Sequence, residues 1–319
     1  MRKRILICIV SFAIIYVVNF FIPRLMPGDP FSVGETGEVV AQLTQEQIAV
    51  MREYYGLDEP LLTQFFNTIK SNLTGNFGMS IYFKKPVSEI ISARFPWTLF
   101  IMVSTILISL IIGIFTAFIS TRRKKLDTSI FSVMSAFSET PSFLIGVLCL
   151  FLIAAKVDWI PLSGGATAFA KYASPWEKVC DILLHGLMPI SAMVCVTVPS
   201  FYFVSRSAFM TIQEKKYIVS AKARGLSERR IRFRYLFLNA MLPIMARVFL
   251  SVGRCVGETL LVEIVFAYPG LGRILREAVK YRDYMLIQGI FLLSTTMVLL
   301  SSLMSDVIDY IAKRGTTRE

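Results

Sequence analysis

Long apolar runs separated by short polar segments are the main pattern of the chain. The first run, residues 5–22, has 18 residues and no charge, and five further apolar runs follow it. A helix needs about 20 apolar residues to cross a hydrocarbon layer of about 30 Å. The pattern therefore predicts six transmembrane helices, at residues 5–22, 97–120, about 129–155, about 187–205, about 239–265 and about 286–304.

The first run has the position of a secretory signal peptide as well as that of a membrane span. A signal peptide carries an apolar region of about 7–15 residues, followed by small residues at a cleavage site. The run at 5–22 is longer, and Pro23 and Arg24 follow it instead of small residues. We therefore interpret it as a retained first span.

The polar interval between the first two spans, residues 23–96, contains 6 basic and 8 acidic side chains and no low-complexity sequence. Thr44 followed by Gln47 matches a capping box, in which each side chain binds the backbone N–H of the other residue. We therefore expect the interval to fold. Three helices are predicted, beginning at Thr44, after Pro60 and after Pro86, and ending at Gly56, near Gly75 and at Pro96.

Lysine and arginine are concentrated in alternate polar segments. Short stretches on one side of the six-span arrangement hold 18 of them, at 2–4, 121–127, 210–238 and 312–319. The other side holds 13 in a much greater length, mixed with acidic residues, at 23–96, 156–186 and 266–285. Because positively charged loops stay in the cytoplasm, we expect both termini and the segment 210–238 to be cytoplasmic.

The basic segment 213–243, here called the elbow, has the pattern of a short helix followed by a turn. Tyr217, Ile218 and Ala221 recur at helical spacing, whereas the lysines point elsewhere. Gly225 follows, and glycine adopts the positive φ that closes a helix. The elbow is therefore predicted to begin with a helix that ends at Gly225.

A second helix is predicted after the turn. Ser227 can cap it by accepting hydrogen bonds from its first N–H groups, and Glu228 suits the positive end of the helix dipole. Small Ala221 and Ala223 would let another molecule approach closely. The elbow thus has the features of a docking surface, and the alternative interpretation is a basic loop that only meets the membrane.

Residues 230–235 alternate basic and apolar side chains, as a strand does. An unpaired strand entering a bilayer would leave its backbone groups without hydrogen bonds. We therefore predict that this stretch is helical and that its arginines reach lipid phosphates.

Polar side chains recur inside two of the predicted spans. In the fifth span, Arg247, Ser251, Arg254 and Glu258 fall within about 60° of one another on a helix, and Gly253 and Gly257 mark a neighbouring face for close helix packing. The third span repeats the pattern with Ser132, Ser135, Glu139 and Ser142.

Charges at membrane depth are costly, by about 2.5–3.5 kcal/mol each, so they need a partner or a water-filled cavity. Residues of both polar stripes are therefore candidates for lining a transport pathway: Glu139, Ser142, Ser251, Arg254 and Glu258. The alternatives are a structural ion pair within the bundle, and an Arg247 that only extends to the membrane surface.

Composition supports a membrane protein. Hydrophobic residues make up 55% of the chain, and the mean hydropathy is +0.61. The net charge of +12 is compatible with nucleic-acid binding, but that function needs the basic residues on one soluble face. Here they lie between apolar runs.

Few residues of the kinds that catalyse reactions or bind metals are present. The five cysteines form neither a CxxC motif nor an even extracellular set, so the sequence supports neither a disulfide framework nor a zinc site. The only histidine, His185, stands at the predicted start of a span, where we expect a solvated or capping role. No phosphate-binding loop of the Gly-x-x-x-x-Gly-Lys-Ser/Thr type occurs.

The elbow resembles the coupling loop of ABC importer permeases of the dipeptide, oligopeptide and nickel family, the inner-membrane components of binding-protein-dependent transport systems. The residues that carry this resemblance are Tyr217, Ala221, Ala223, Arg224, Gly225, Leu226, Ser227, Asn239, Ala240, Leu242 and Pro243. The stretches RLMPGDP at 24–30, YGLDEPLLTQFF at 55–66 and VFAYPGLGRI at 265–274 resemble the same family. Leu238 and Met285 stand where many relatives carry proline.

The resemblance implies an all-α membrane protein of six transmembrane helices, like the type I ABC importer permeases. It further implies that the coupling loop seats in a groove of a separate ATPase subunit. The division it suggests is a cytoplasmic start with the first span at 1–22, an extracytoplasmic helical segment at 23–96, a five-helix core at 97–311 with the coupling loop at 210–238, and a cytoplasmic tail at 312–319.

The resemblance also implies partners and location. These are a second homologous permease, two ATPase subunits that bind ATP and magnesium, an extracytoplasmic substrate-binding protein and a prokaryotic inner membrane. No catalytic residue, cofactor or metal is assigned to this chain itself.

The functional prediction is a permease subunit for a small solute, with di- or oligopeptides first and nickel or a metal chelate as the alternative within the family. A different class, an ion-coupled secondary transporter, would use Glu139 and Glu258 as ion or proton sites. A membrane enzyme is a third class, but no nucleophile–base pair or cluster of metal ligands is seen.

Overall fold

Helices provide nearly all of the regular structure. The computed structural model describes residues 2–27, 30–31, 44–122 and 124–316. The helices are α1 (Arg2–Arg24), α2 (Gln45–Tyr54), α3 (Leu61–Leu73), α4 (Val87–Ser120), α5 (Lys124–Ser138), α6 (Ser142–Leu152), α7 (Pro175–Gln213), α8 (Lys216–Ala223), α9 (Glu228–Arg230), α10 (Leu238–Val265), α11 (Leu271–Lys280) and α12 (Tyr284–Thr316). Within these described ranges the regular elements are all helices and no β-strand is formed, which confirms the all-α prediction.

Five helices are long and apolar enough to cross a membrane. Among the described residues they are Lys3–Arg24, Val87–Ser120, Pro175–Gln213, Glu228–Val265 and Tyr284–Ile308. A sixth crossing is possible only if the bent pair Lys125–Ser138 and Ser142–Lys156 acts as one span. The described residues thus contain five candidate spans, or the predicted six if the bent pair forms one span.

The third span is broken, whereas the sequence predicted a continuous helix at 129–155. Its two halves meet at an angle of 97°, with the break between Ser138 and Ser142. Pro141 explains the break, because proline has no N–H to donate and disfavours helical backbone in the residue before it. Glu139 lies in this break, exposed to its surroundings.

The other spans are longer than their apolar runs. The helix α4 starts at Val87 and passes Pro96 without ending, so the predicted third helix of the 23–96 interval and the second span are one helix. The boundary proposed between 96 and 97 therefore falls inside a helix. At the other end of the chain, α12 continues into the predicted tail as far as Thr316.

The 23–96 interval folds as its turn residues predict. Thr44 Oγ1 accepts a hydrogen bond from the Gln47 N–H at 3.3 Å, and Gln47 Oε1 accepts one from the Thr44 N–H at 2.9 Å. The helices α2 and α3 end just before Gly56 and Gly75, which have φ of +65° and +77°. The capping box and both helix ends are confirmed; residues 28–29 of the RLMPGDP motif lie outside the described residues.

Polar contacts attach this interval to the membrane helices. Arg24 Nε donates to Gln64 Oε1 at 3.0 Å, which connects the end of α1 to α3. The fully buried carboxylate of Asp283 accepts from the Ser80 hydroxyl and from the Tyr82 and Leu286 N–H groups, the latter two at 3.1 Å. The interval is therefore fixed against the start of α12 as well as α1.

The helices α4 and α7 form the closest packed pair of the core. A Cβ on Gly113 would lie 2.5 Å from the Phe201 Cβ, so only glycine permits this approach. At one end of the pair, Asp127 on α5 forms an ion pair with Arg206 on α7 and accepts from the Ser120 hydroxyl of α4. These bonds connect three helices beside the elbow.

His185 is a buried residue, which the sequence did not predict. It lies inside α7, and only 7% of it is exposed. Its Nδ1 is 2.9 Å from the Asp181 carbonyl oxygen and 3.3 Å from Asp181 Oδ1. The predicted solvated or capping role is wrong because the helix begins at Pro175, well before the apolar run.

Candidate functional site

The first half of the elbow is the helix α8, and its end is built as the sequence predicts. Gly225 has φ of +71°. Its N–H donates to the Lys222 carbonyl at 2.9 Å, and the Leu226 N–H donates to the Ala221 carbonyl at 3.3 Å. This pair of bonds is the Schellman arrangement, which satisfies the last carbonyls of a helix. A Cβ on Gly225 would meet no atom within 4 Å, so the requirement for glycine comes from the backbone alone.

The second half of the elbow is not a separate short helix. Ser227 Oγ accepts from the Arg230 N–H at 3.4 Å, as a capping residue does, and the chain then stays helical to the end of the fifth span. Residues Ile231–Phe237 have π-helical hydrogen bonding. The helical prediction for 230–235 is confirmed, and neither Leu238 nor Pro243 ends the helix.

The side chains of α8 divide between the protein interior and its surface. Ile218 and Ala221 are 1% and 4% exposed and pack in a cluster with Phe209 and Ala240. Ala221 therefore contacts this chain's own helices, and the expectation that its small size admits another molecule is wrong. All the remaining candidates for ATPase coupling are exposed: Tyr217, Ala223, Arg224, Gly225, Ser227, Asn239 and Pro243.

The two polar stripes meet at membrane depth. In α10, Arg254 Nε lies 2.6 Å from Glu258 Oε1, and Arg254 Nη2 lies 3.5 Å from the Ser138 carbonyl oxygen, the last residue of α5. Ser138 Oγ in turn donates to Glu139 Oε1 at 3.1 Å. Ser138 thus links Glu139 to the Arg254–Glu258 pair at the break of the third span, and these three charged residues are here called the charged cluster.

The charged cluster lies partly at the surface of the chain. The side chains of Arg254 and Glu258 are 45% and 19% exposed. One Glu258 oxygen, Oε2, is buried without a hydrogen-bond partner among the described residues. The guanidinium group of Arg254 therefore faces a region that this chain alone does not fill, whereas the Glu258 carboxylate is mostly enclosed.

The remaining members of the stripes lie elsewhere. Ser142 and Ser251 are each 3% exposed, so they face the interior of the chain. Arg247 Nε donates to Ser200 Oγ at 2.5 Å, which supports its interpretation as a structural residue rather than a surface one. A Cβ added to Gly253 would lie 3.4 Å from Val298 Cγ1 of α12, so this glycine packs against that helix. A Cβ added to Gly257 would meet no atom within 4 Å.

Glu263 is a buried carboxylate that the sequence reasoning did not single out. It is completely buried in α10, and Oε2 accepts from the Gly272 N–H at 2.6 Å. A Cβ on Gly270 would lie 2.1 Å from Glu263 Oε1. The Glu263 carboxylate therefore fixes the turn before α11. In the sequence, an acidic residue at the end of an apolar run and shortly before the Pro-Gly-Leu-Gly stretch could have indicated this role.

The fold and the charged cluster define a class of protein: an all-helical, multi-span membrane protein with charges at membrane depth. Two family models together match nearly the whole chain. The model described as binding-protein-dependent transport system inner membrane component matches residues 109–318, and its N-terminal counterpart matches residues 1–103. The chain belongs to this family of inner-membrane components of ABC importers.

Curated relatives align over almost their full length. A probable peptide ABC transporter permease protein, y4tP, from Sinorhizobium fredii is 29% identical over 312 residues, which are 96% of this chain and 95% of the relative. The glutathione transport system permease protein GsiC from Escherichia coli K12 is 29% identical over 311 residues, 96% and 94% of the two chains. The GsiC protein of Shigella boydii is similar at 29% over 308 residues.

Membership of this family fixes the general function. The chain is the membrane-spanning component of an import system that works with ATPase and binding-protein subunits in the inner membrane. The predicted family and class of transport are therefore confirmed.

Proposed function

We propose that this chain forms one half of a membrane pathway for di- or oligopeptides or a closely related small solute. The observation that carries the proposal is the charged cluster, because Arg254 and Glu258 form an ion pair near the middle of α10 and both remain partly exposed. Lipid is a poor environment for two such charges. A water-filled pathway is a suitable one.

A second, homologous permease would complete the pathway. The charged cluster is open on one side of the chain, where Arg254 is 45% exposed. Packing of a second subunit over this side would enclose the cluster in a cavity between the two chains. Sites between pseudo-symmetric halves are common in transporters.

The elbow is proposed to contact an ATPase subunit. Tyr217, Ala223 and Arg224 are exposed on α8 and its end, while Ile218 and Ala221 attach the same helix to the bundle. A push on α8 would therefore reach α10 through the turn at Gly225. ATP and magnesium would bind to the ATPase subunits, since this sequence has no phosphate-binding loop.

The orientation follows from the distribution of charge. With the elbow and both termini in the cytoplasm, the 23–96 interval lies on the opposite side and is available to the substrate-binding protein. Its packing against α1 and α12 makes it a rigid surface for docking.

Peptides are the favoured substrate class for two reasons. The names of the similar proteins refer to peptide and glutathione transport. A peptide also carries an ammonium and a carboxylate group, and the charged cluster presents both signs of charge at membrane depth. Nickel or a metal chelate is the alternative within the family, and an ion-coupled secondary transporter that uses Glu139 and Glu258 is the alternative from another class.

Purification of the tagged chain from its own membrane tests the proposal. We expect mass spectrometry to identify a homologous permease, two ATPase subunits and a binding protein. Proteoliposomes of the complex should accumulate labelled peptide when ATP and the binding protein are present. A chain that purifies alone and accumulates solute under an ion gradient would contradict the proposal, and ATP-driven uptake of nickel but not peptide would replace its substrate.

A further inference from the structure

The helix that begins the fifth span carries four arginines between positions 229 and 234, and the structure separates them. Arg232 turns back toward the protein: its Nε lies 3.5 Å from Glu228 Oε2, and its guanidinium is 5.4 Å from the centre of the Phe118 ring. Arg232 is therefore occupied by partners of this chain.

The other three arginines surround a shallow concavity of about 390 Å³. It is lined by Ser227, Arg229, Arg230, Phe233 and Arg234, and is here called the arginine concavity. Among the described residues, none of these three guanidinium groups forms an ion pair with a carboxylate. Three neighbouring cations without an acidic partner form a site that favours an anion.

The π-helical stretch Ile231–Phe237 explains why these residues share one side. In an α-helix, residues five apart point about 140° away from each other. A π-helix pairs residues five apart in its hydrogen bonding and so brings them toward one face. Arg229 and Arg234 are five apart, and the π-helical stretch begins between them.

Phosphate is the anion that matches this arrangement. The guanidinium group presents several N–H donors in a planar fork, which fits the oxygens of a phosphate in a bidentate manner. The surroundings favour a phosphate on a lipid over one on a soluble molecule. Phe233 and Leu238 are 57% and 59% exposed, and Leu242, farther into the span, is 46% exposed.

We propose that the arginine concavity binds the phosphate group of an anionic phospholipid, with the acyl chains lying along Phe233, Leu238 and Leu242. A bound lipid would hold the start of the fifth span at the membrane surface, directly beside the Gly225 turn. This site is separate from the charged cluster and does not depend on which solute is transported.

The test uses the full complex in nanodiscs of phosphatidylcholine, with and without phosphatidylglycerol. Native mass spectrometry counts the phosphatidylglycerol molecules that remain bound after transfer to detergent. We expect the triple variant R229Q/R230Q/R234Q to retain at least about tenfold less phosphatidylglycerol, because it removes the guanidinium donors that would hold the phosphate in the arginine concavity. The control K215Q/K216Q/K222Q removes the same charge from the exposed surface of α8 and should retain as much as the wild type.

Two further measurements separate lipid binding from contact with a protein partner and from binding of soluble phosphate. The substitution F233A leaves every charge in place, so it should lower phosphatidylglycerol retention without changing the affinity for inorganic phosphate. Equal retention by the wild type and the arginine triple variant would overturn the proposal. Loss of ATPase subunits with unchanged lipid retention would overturn it as well, because the arginines would then contact protein. Tight binding of inorganic phosphate with no preference for phosphatidylglycerol would make this a soluble-phosphate site and reject the lipid.

Discussion

At the scale of single residues, the important feature is the difference in burial and bonding between two ion pairs of the membrane helices. Arg254 and Glu258 pair within α10 and remain partly exposed, whereas the Arg206 and Asp127 pair is tied into three helices. Ion pairs that are exposed to water contribute little to stability. If Arg254 and Glu258 line a water-filled pathway, as proposed, their pair therefore adds little to the stability of the fold.

Neutralising Glu258 should impair transport. In Glu258→Gln, the charge of Arg254 loses its partner at membrane depth, so we expect peptide uptake to fall at least about tenfold, which equals about 1.4 kcal/mol. The matched control is Glu277→Gln, since Glu277 pairs with Arg273 by the same i,i+4 spacing on α11, at 3.3 Å. Uptake should be unchanged in the control. Normal uptake in Glu258→Gln would remove this residue from the pathway.

Gly225 should be required for coupling because of its backbone conformation. A residue with a Cβ at φ of +71° costs about 1–2 kcal/mol, so Gly225→Val should alter the turn between α8 and the fifth span. We expect normal membrane insertion and reduced transport-coupled ATP hydrolysis.

Gly75 provides the control for this variant. It has φ of +77° and, like Gly225, no atom within 4 Å of an added Cβ, but it lies in the 23–96 interval. Gly75→Val should therefore carry similar strain while leaving ATP hydrolysis coupled. If both variants hydrolyse ATP like the wild type, the elbow is only a basic loop.

At the scale of helices, α8 has a buried side and an exposed side. Its buried side, with Ile218 and Ala221, packs into the cluster formed with α7 and α10. Its exposed side carries Tyr217, Ala223 and the lysines. A helix attached in this way moves together with the bundle, which is what transmission of force from a partner requires.

Arginine substitutions on the two sides of α8 should have different effects. Ala223→Arg adds bulk to an exposed position, so we expect normal folding and loss of ATPase subunits from the purified complex. Ala221→Arg forces a charge into a packed core, which destabilises the fold through overpacking and an unpaired charge. Its folded yield should drop sharply. A fully assembled and active Ala223→Arg complex would show that the ATPase does not contact this side of α8.

At the scale of the whole molecule, contacts at the broken third span and at the ends of the long helices hold distant parts of the chain together. The break at 139–141 brings the end of α5 against Arg254. On the opposite side of the predicted membrane, α3 and the Ser80 region pack on α1 and α12. The elbow follows the end of α7, whereas the 23–96 interval packs at the end of α1 and the start of α12.

Cysteine labelling should show these ends on opposite sides of the membrane. In a variant without the five native cysteines, Lys171→Cys should react with an impermeant thiol reagent outside the cytoplasm, and Lys215→Cys should react only after permeabilisation. Both lysines are exposed, so lack of access within the protein does not complicate the result. Labelling of both sites from the same side would contradict the six-span topology.

Removal of part of the 23–96 interval should weaken docking of the binding protein. Deleting residues 44–56 removes α2 with its capping box but leaves the Arg24–Gln64 contact in place. We expect lower affinity for the binding protein in surface plasmon resonance and unchanged retention of the ATPase. Unaltered affinity would show that α2 has no part in docking.

Much of the architecture could be predicted because it depends on local chemistry. Apolar run length predicted the long helices, and Gly56, Gly75 and Gly225 ended helices as expected, since glycine adopts a positive φ without a clash of a Cβ. Helix starts were harder to predict. The helices α4, α7 and the fifth span begin well before their apolar runs, because polar residues also continue a helix once packing supports it.

The sequence by itself determined the helical class, the family resemblance and the turns at Gly56, Gly75 and Gly225, all of which depend on residues close together in the chain. Only the tertiary structure decided that Ala221 faces inward, that the end of α5 meets Arg254, and that Asp283 and Glu263 are buried. Periodicity tells which residues share a face of a helix. Which neighbour covers that face depends on how the helices pack, and contacts between residues distant in the chain decide that.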